Sequence, residues 1–455
     1  MKSINREIFR AYDIRGVVDR DFDPEWVERL GRACGTFFRA RGWQRALVGH
    51  DCRATSPEYS RSLARGMNAA GVDAVLLGQV STPMFYFAAR HLDFQAGVMV
   101  TASHNPPDQN GFKVWGGRST ILGEDIVSLH DLMVSGEFAS GPGLTSWHDI
   151  LPAYERDLLS RVRLERPVRV VVDGGNGTSG EITARLLEQA GAEVVRLYCE
   201  PDGNFPNHHP DPVVEEYSTD LKARVLEAGA EVGVGLDGDG DRIGAVDEQG
   251  RLLFGDQLLA VYARELLREV PGATVLGDVK CSHLLFADIA AHGGNPVMCE
   301  TGHSIVKARM LETGAALGGE MSGHMFFSHG FHGFDDATFG ALRLVEILSR
   351  GDRPLSGLLD GWPETSSTPE IRMACPEAVK FEVVRRAREH FSKDHEVIDM
   401  DGVRVVFPDG WGLVRASNTQ AVLVLRFEAE SPERLQEIRQ GMEEPLMRWI
   451  RELEA

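Results

Sequence analysis

The sequence predicts three consecutive α/β domains with mixed sheets and a smaller C-terminal α+β domain, arranged around a central cleft. The chain of 455 residues is longer than a single hydrophobic core usually becomes. Short runs rich in Val, Leu and Gly alternate with amphipathic segments of helical length, and this βαβ pattern starts afresh twice. The last part of the chain has a different pattern. We therefore expect domains at residues 1–148, 149–250, 251–365 and 366–455.

The first domain is predicted from three strand-like runs and the helical segments between them. The runs are at 46–49, 74–78 and 97–101, and the amphipathic segments are at 24–40 and 57–70. Apolar runs separated by helix-length segments indicate a parallel sheet with crossover helices.

The same pattern predicts the second and third domains. Strand-like runs recur at 168–173, 193–198 and 231–236, and a further run at 274–279 precedes a helical pattern at 339–349.

The C-terminal domain is predicted from alternating strands and a final helix. After a stretch with Pro and Ser at 362–369, strands are expected at 403–407 and 421–427. Ser431 suits an N-cap with Pro432 in the first helical position. Apolar residues then recur at helical spacing: Leu435, Ile438, Met442, Leu446 and Trp449.

Composition excludes several classes of partner. The chain has 48 basic and 68 acidic residues and a net charge of −20, which argues against binding nucleic acid or an anionic membrane. An anionic substrate would need positive charge concentrated at its site. Neither a signal peptide nor a long apolar run is present, and the six cysteines are scattered without metal-site spacing. We expect a cytoplasmic protein with reduced thiols.

The first polar loop, residues 101–106, offers a hydroxyl nucleophile. Ser103 follows the apolar run 97–100, and Pro106 and Pro107 force a turn there. Ligands gather at the carboxyl ends of strands in open α/β sheets, so a phosphoryl-accepting serine is sterically reasonable. The alternative is that Ser103 is an ordinary turn residue and that His104 is a surface residue without a function.

The second polar loop offers three carboxylates. Asp237, Asp239 and Asp241 alternate with glycines, so the backbone can bend and direct their oxygens at one point. Oxygen ligands without thiols or imidazoles favour a hard cation such as Mg²⁺. A solvated acidic turn is the alternative.

An EF-hand is another metal site that the spacing of this loop suggests. The three aspartates and Glu248 match its first, third, fifth and twelfth positions. Arg242 replaces the glycine that the sixth position requires, and the flanking runs are strand-like rather than helical. The match therefore fails.

The third polar loop alternates Glu320, Ser322 and His324 with small or flexible residues. In an extended loop all three side chains can point the same way, which suits hydrogen bonding to neighbouring sugar hydroxyls. An ordinary polar turn is the alternative.

The fourth polar loop offers an anion cradle. Arg415 supplies a fork of fixed charge, and Ser417, Asn418, Thr419 and backbone N–H groups can complete the cradle. A capped turn before the next strand is the alternative.

Gly175, Gly177 and Gly180 match the spacing of a dinucleotide-binding loop, with Glu200 near the position of a ribose-binding acid. A tight strand-to-helix turn needs the same glycines, so we favour a structural role.

Together, the four loops in this order resemble the α-D-phosphohexomutase superfamily, and most closely its bacterial phosphomannomutase/phosphoglucomutase members. Residues 9–16 and 301–303 are also similar to that family. Met321 resembles the mannose and glucose mutases, whereas phosphoglucosamine mutases tend to have glutamine there.

The resemblance implies a role for each loop. Ser103 would be the phosphoserine, and Asp237, Asp239 and Asp241 would hold Mg²⁺ together with a phosphoserine oxygen. Glu320 and Ser322 would bind sugar hydroxyls with His324 beside them. The phosphate that is not reacting would be held by Arg415, Ser417, Asn418 and Thr419. The residues implied to line the cleft are Tyr12, Arg15, His104, Lys113, Arg242, Lys280 and His303, with proton transfer shared among His104, Lys113 and Arg15.

The implied activity is reversible interconversion of hexose 1-phosphate and hexose 6-phosphate, with mannose or glucose as the sugar. Phosphoserine would give a hexose 1,6-bisphosphate, which also serves as activator, and the fourth domain would close over the cleft. A monomer or weak homo-oligomer is expected. The alternatives are a phosphoglucosamine mutase, a Mg²⁺-dependent sugar phosphatase and a non-catalytic sugar-phosphate sensor.

Overall fold

The computed structural model of the chain describes residues 2–417 and 421–454. Four successive parts of the chain each form a sheet. Asn418 and Thr419 of the fourth polar loop lie outside the described residues.

The first sheet has the order β1-β5-β4-β2-β3-β7, with β6 paired to β5. Its strands are β1 (Ile14–Val17), β2 (Arg45–His50), β3 (Asp73–Gln79), β4 (Ala96–Val100), β5 (Gln109–Gly116), β6 (Ser119–Thr120) and β7 (Thr145–Trp147). Its helices are α1 (Pro24–Ala40), α2 (Ser56–Ala69), α3 (Thr82–His91) and α4 (Glu124–Ser135), after a short 3₁₀ turn at Arg6–Ile8. Strand β4 is parallel to β2 and antiparallel to β5, so the sheet is mixed.

Helix α1 has the predicted bounds because its start is encoded locally. The Asp23 side chain accepts a 2.7 Å hydrogen bond from the Trp26 N–H, and Pro24 takes the first helical position. Helix α2 begins and ends one residue before its predicted bounds.

The second sheet has the order β12-β11-β10-β8-β9. Its elements are α5 (Leu151–Arg161), β8 (Arg169–Asp173), α6 (Gly180–Ala190), β9 (Glu193–Leu197), a 3₁₀ turn (Glu215–Ser218), α7 (Thr219–Ala228), β10 (Val232–Leu236), β11 (Ile243–Asp247) and β12 (Leu252–Leu253). Strand β10 is parallel to β8 and antiparallel to β11.

The third sheet has the order β14-β13-β15-β16. Its elements are α8 (Gly255–Glu269), β13 (Thr274–Asp278), α9 (His283–Ala291), β14 (Asn295–Cys299), α10 (His303–Thr313), β15 (Leu317–Gly319), β16 (Met325–Phe327), α11 (Ala337–Ser349) and a 3₁₀ turn (Leu355–Leu359). Helix α11 begins two residues before the predicted start because Asp336 caps it, accepting a 2.9 Å hydrogen bond from the Phe339 N–H.

The fourth sheet is antiparallel and has the order β17-β22-β21-β20-β19, with β18 paired to β22. Its elements are β17 (Ser366–Ser367), β18 (Ile371–Ala374), α12 (Lys380–Phe391), β19 (Glu396–Ile398), β20 (Val403–Phe407), β21 (Gly410–Ala416), β22 (Val422–Ala429) and α13 (Pro432–Glu454). Ser431 accepts a 3.2 Å hydrogen bond from the Arg434 N–H, as its predicted capping role requires. Three mixed α/β sheets and an antiparallel α+β domain confirm the predicted fold class.

One hydrophobic core runs through the first three domains, whereas the fourth domain has its own. The fourth domain contacts the third through buried polar groups. Arg404 donates 2.7 Å hydrogen bonds to the carbonyls of Val279 and Cys281, and Ser282 donates one of 2.6 Å to Glu428. The loop after β13 is therefore fixed against the fourth domain.

Across residues 2–417 and 421–454, every helix is too short or too polar to span a lipid bilayer.

Candidate active site

Ser103 lies just beyond β4 in an unusual backbone conformation. Its φ is +52°, in the left-handed region that non-glycine residues seldom occupy, and the residue is buried. The Thr101 hydroxyl holds this turn by accepting a 2.9 Å hydrogen bond from the Ser103 N–H. Such local strain of about 1–3 kcal/mol persists where the surroundings enforce it, commonly at functional sites.

The Ser103 hydroxyl faces the second polar loop. Its Oγ donates a 2.6 Å hydrogen bond to Oδ2 of Asp237 and lies 3.2 Å from Nδ1 of His104. The predicted nucleophile and the predicted metal loop thus come from different domains and meet directly.

The metal loop is a hairpin between the antiparallel strands β10 and β11. Oδ1 of Asp237 accepts hydrogen bonds of 2.9, 3.0 and 3.2 Å from the N–H groups of Gly240, Asp241 and Arg242. Strands flank the loop, whereas helices flank the loop of an EF-hand, so this site is not an EF-hand. Burial, with repulsion from Asp241 and Asp239, raises the pKa of Asp237 well above its usual range.

Lys113 on β5 lies against this loop. Its buried Nζ is 2.8 Å from Oδ2 of Asp239 and 2.5 Å from Oδ2 of Asp241. Burial alone would lower the pKa of Lys113, but the two carboxylates hold it well above its usual value. The side chain is therefore a fixed positive charge at the site.

The loop fits a small divalent cation. The three aspartates are fully buried, and one carboxylate oxygen from each lies within 4.8 Å of the others. Within the described part of the chain, Oδ1 of Asp239 and of Asp241 has no hydrogen-bond partner. Because a buried carboxylate oxygen without a partner is costly, these oxygens are suited to a hard cation such as Mg²⁺.

Arg53 organises the serine loop and was not predicted. Its buried guanidinium donates hydrogen bonds of 2.6 to 3.0 Å to four backbone carbonyls, those of Ser103, Asn105, Pro106 and Gln109. Its Nε lies 3.2 Å from Oδ2 of Asp51. The Asp-x-Arg spacing after β2 could have drawn attention to it, but its partners lie about fifty residues away in sequence.

His104 and Arg15 flank the serine. Arg15 pairs with Asp13 at 2.6 Å and donates a 3.2 Å hydrogen bond to the Asn105 side chain. Burial, with the positive charges of Arg242 and Arg15, lowers the pKa of His104 well below its usual value. His104 is therefore neutral near pH 7.

The sugar loop is joined to the metal loop. Nε of Arg242 donates a 3.0 Å hydrogen bond to Nε2 of His324. Glu320 accepts hydrogen bonds from the Gly302 N–H and, at 3.3 Å, from the Ser322 hydroxyl. Glu320, Ser322 and His324 thus form one cluster beside the metal loop.

Asp335 and Lys307 lie behind His324 and were not predicted. Nδ1 of His324 is 2.9 Å from Oδ2 of Asp335, whose Oδ1 is 3.1 Å from Nζ of Lys307. Burial opposes ionisation of Asp335, but Lys307 and His324 hold its pKa well below the usual range. Lys307 also lies 3.2 Å from Nδ1 of His303. Both residues lie between the polar loops and carry no motif, so neither could be predicted from the sequence.

Arg415 and Lys280 are a second set of cationic side chains, and they lie among acidic partners where the third and fourth domains meet. Arg415 pairs with Asp401 at 2.7 Å. Lys280 lies 4.0 Å from Asp278 and 3.8 Å from Glu370. Within residues 2–417 and 421–454, no ion pair joins Arg415 or Lys280 to the metal-loop aspartates. Positive charge is therefore present at two places.

Tyr12 and Ser417 complete the predicted set within the described residues. The ring of Tyr12 lies 5.4 Å from that of His303, with its edge toward it. The buried Ser417 backbone carbonyl accepts a 2.6 Å hydrogen bond from Lys380.

The glycines of the dinucleotide-like pattern have packing roles. A Cβ on Gly177 would lie 2.8 Å from the Asp237 carbonyl, and one on Gly180 would lie 2.8 Å from the Cys199 Cα. Gly175 has a φ of +51°. Close approach and turn geometry account for all three.

Four family models match the chain. They describe phosphoglucomutase/phosphomannomutase alpha/beta/alpha domains I, II and III at residues 6–129, 152–250 and 254–365, and the C-terminal domain at 370–444.

Curated relatives and solved structures are similar over nearly the full length. A phosphomannomutase/phosphoglucomutase of Pseudomonas aeruginosa is 45% identical, over 95% of this chain and 94% of its own length. A phosphoglucomutase of Neisseria gonorrhoeae is 43% identical over 96% of each chain. The crystal structure of a phosphoglucomutase/phosphomannomutase family protein from Burkholderia thailandensis has a TM-score of 0.92 and 41% identity over 98% of each chain.

Proposed function

The chain belongs to the phosphoglucomutase/phosphomannomutase family and is a phosphohexomutase, and on this premise we propose how its residues interconvert hexose 1-phosphate and hexose 6-phosphate, with mannose and glucose as the sugars. The name of the Pseudomonas aeruginosa relative includes both sugars, and that of the Neisseria gonorrhoeae relative includes glucose alone. One observation carries the mechanism: the Ser103 hydroxyl lies 2.6 Å from a buried three-carboxylate loop of another domain.

Phosphoserine at position 103 donates its phosphoryl group to a sugar hydroxyl. The bond from phosphorus to the serine oxygen breaks, a bond to the sugar oxygen forms, and the sugar hydroxyl loses its proton. The leaving Ser103 oxygen takes up a proton in this step. In the reverse step, when the Ser103 hydroxyl attacks a phosphate, neutral His104 is suited to accept the serine proton, because its Nδ1 lies 3.2 Å from Oγ. Lys113, which the aspartates keep charged, offsets negative charge near the transferring group.

A divalent cation completes the charge balance. Asp237, Asp239, Asp241 and an oxygen of phosphorylated Ser103 would hold Mg²⁺, which supplies positive charge that stabilises the transferring phosphoryl group. The buried, unpaired oxygens of Asp239 and Asp241 support this ligand set.

The product of the first transfer is a hexose 1,6-bisphosphate, which must turn over before its other phosphate returns to Ser103. Two separate sets of cationic side chains suit this step, since one phosphate reacts at Ser103 while Arg415, Ser417 and Lys280 hold the other. Asn418 and Thr419 remain predicted members of this cradle. Glu320, Ser322 and His324 bind the sugar hydroxyls, with Tyr12, Arg15, Arg242 and His303 lining the space between. The same bisphosphate would act as an activator. When a bisphosphate escapes from the cleft, Ser103 is left without its phosphate, and another bisphosphate molecule would phosphorylate it again.

We propose a cytoplasmic monomer or weak homo-oligomer. All six cysteines are unpaired and five of them are buried, which suits a reducing compartment.

The proposal is tested by turnover of mannose 1-phosphate and glucose 1-phosphate with Mg²⁺ and a trace of hexose 1,6-bisphosphate. We expect 6-phosphate without release of inorganic phosphate in the wild type and in Ser128→Ala, an exposed control, and none in Ser103→Ala. Stoichiometric release of inorganic phosphate would instead identify a sugar phosphatase. Turnover of glucosamine 1-phosphate alone would identify a phosphoglucosamine mutase, and tight binding without turnover a sensor.

A further inference from the structure

A cavity of about 220 Å³ lies between the first and third domains, outside the site described above. The first domain contributes Arg90, Arg118 and Ser119, and the third contributes Lys307 and His332. Among the residues that the structure describes, no Asp or Glu lines it. Apolar and aromatic side chains form much of the remaining wall, and in a chain with a net charge of −20 it is unusual that the charged side chains of the lining are all basic.

Two of these basic groups have no compensating partner. The side chains of Arg90 and Arg118 form neither an ion pair nor a hydrogen bond with any residue that the structure describes. Burial, with repulsion from Arg118, lowers the pKa of Arg90. Both arginines are exposed to solvent, which weakens the repulsion between them, and an anion bound between them would remove it.

Ser119 provides an independent observation. Its Oγ is buried and has no hydrogen-bond partner among the described residues. A buried hydroxyl without a partner costs about 1–3 kcal/mol, so a ligand oxygen at this wall would satisfy it.

Lys307 connects the cavity to the active site. The Lys307 residue lines the cavity, and its Nζ lies 3.1 Å from Asp335, which contacts His324 of the sugar loop. An anion in the cavity would compete with Asp335 for this ammonium group. His332 is paired with Asp157 at 2.9 Å and therefore contributes less to binding an anion in the cavity.

The volume limits the ligand. Cavities for drug-sized molecules measure about 300–1,000 Å³, so this one suits a small anion with few apolar atoms. Arginine forks and a hydroxyl donor match the oxygens of a phosphate group.

We propose that this cavity is a second anion site, which takes inorganic phosphate or the phosphate group of a small metabolite, and that Lys307 transmits its occupancy to the active site. Free phosphate and a phosphorylated metabolite share the same recognition chemistry. A bound anion weakens the hold of Lys307 on Asp335, and turnover falls.

Crystals of the wild type soaked with tungstate, a heavy phosphate analogue, test the site directly. We expect anomalous density between Arg90 and Arg118, absent from the Arg90→Gln/Arg118→Gln double variant and present in Arg156→Gln, whose exposed arginine does not line the cavity. Absence of density there in the wild type, or its persistence in the double variant, would overturn the site. Tungstate at the sugar-phosphate site is a separate peak, so this result does not depend on the mutase activity.

Kinetics test the link through Lys307. At saturating sugar phosphate, inorganic phosphate no longer competes at the active site, so a change in kcat reports the second site. We expect added inorganic phosphate to lower kcat at least twofold in the wild type and in Arg156→Gln, but not in the double variant. An equal fall in the double variant, or no fall in any of them, would overturn the link. Repeating the titration with glycerol phosphate distinguishes the sources: a steeper fall than with inorganic phosphate assigns the site to metabolites, and a shallower one to free phosphate.

Discussion

The guanidinium of Arg53 donates a 2.8 Å hydrogen bond to the backbone carbonyl of Ser103. The same group binds three further carbonyls of the serine loop, so it fixes the loop in the conformation that gives Ser103 its positive φ. Arg53 acts on the nucleophile through the backbone, and we regard it as a positioning residue.

Arg53→Met should therefore lower kcat about 100-fold with little change in KM, because misplacing the nucleophile affects the chemical step more than binding. Arg53→Lys should restore part of the rate, since an ammonium can still reach one or two carbonyls. Steady-state kinetics check this, with Arg65→Met as the matched control because Arg65 forms an exposed pair with Glu28. A rise in KM at unchanged kcat would contradict the positioning role.

Lys113→Met should destabilise the protein by about 3–5 kcal/mol, because it leaves two buried carboxylates without their positive partner. The loss should be smaller when Mg²⁺ is present, since a cation can replace the lost charge. Thermal unfolding with and without Mg²⁺ measures both effects. The exposed pair of Lys222 and Glu215 gives a control, and Lys222→Met should cost less than about 1 kcal/mol.

Mg²⁺ should stabilise the wild type, because a ligand that binds only the folded state adds about 2.7 kcal/mol at one hundred times its Kd. Asp239→Asn should remove most of this gain and abolish mutase activity, whereas the exposed Asp352→Asn should do neither. Chelation with EDTA should reverse the gain. Equal stabilisation of Asp239→Asn and wild type would exclude the aspartate loop as the cation site.

Arg415→Ala should raise KM for hexose phosphates about 10- to 100-fold, because hydrogen bonds to charged groups contribute about 1.5–3 kcal/mol. Phosphorylation of Ser103 by hexose 1,6-bisphosphate should persist. Kinetics with mass spectrometry of the serine measure both, and Arg388→Ala, which breaks an exposed pair with Asp399, is the control. Unchanged KM would remove the distal-phosphate role.

Asp336 should make stability depend on pH. Burial raises its pKa to about 7, against about 3.9 in the unfolded chain. Between these values the folded protein keeps a proton that the unfolded chain has released. The free energy of unfolding therefore falls as the pH rises from about 4 to about 7, and it no longer changes at higher pH.

Asp336→Asn should remove this dependence while keeping the cap of α11, which asparagine also forms. Relative to the variant, the wild type should lose about 3 kcal/mol between pH 5 and pH 8. Thermal unfolding at both values checks this, and parallel pH profiles for the two proteins would refute the raised pKa.

The sequence predicted the fold class because its signals are local. Apolar periodicity is read from neighbouring residues. Asp23 and Ser431 cap α1 and α13 by bonding to backbone N–H groups three residues further along the chain. Strand β21 was not predicted, since Gly410 and Gly412 weaken strand propensity. Both are required in the folded protein, because a Cβ on Gly410 would lie 2.4 Å from the Glu428 carbonyl of β22.

The sequence by itself also determined the four polar loops, because each is a short motif at the end of a strand. Only the tertiary structure decided which side chains support them. Lys307 and Asp335 carry no motif, and the Asp-x-Arg spacing of Arg53 does not reveal its partners. Each of these residues acts through partners that only folding brings to it. A buried charge is retained only where packing supplies its partner, and that condition is set by the arrangement of whole domains rather than by neighbouring residues.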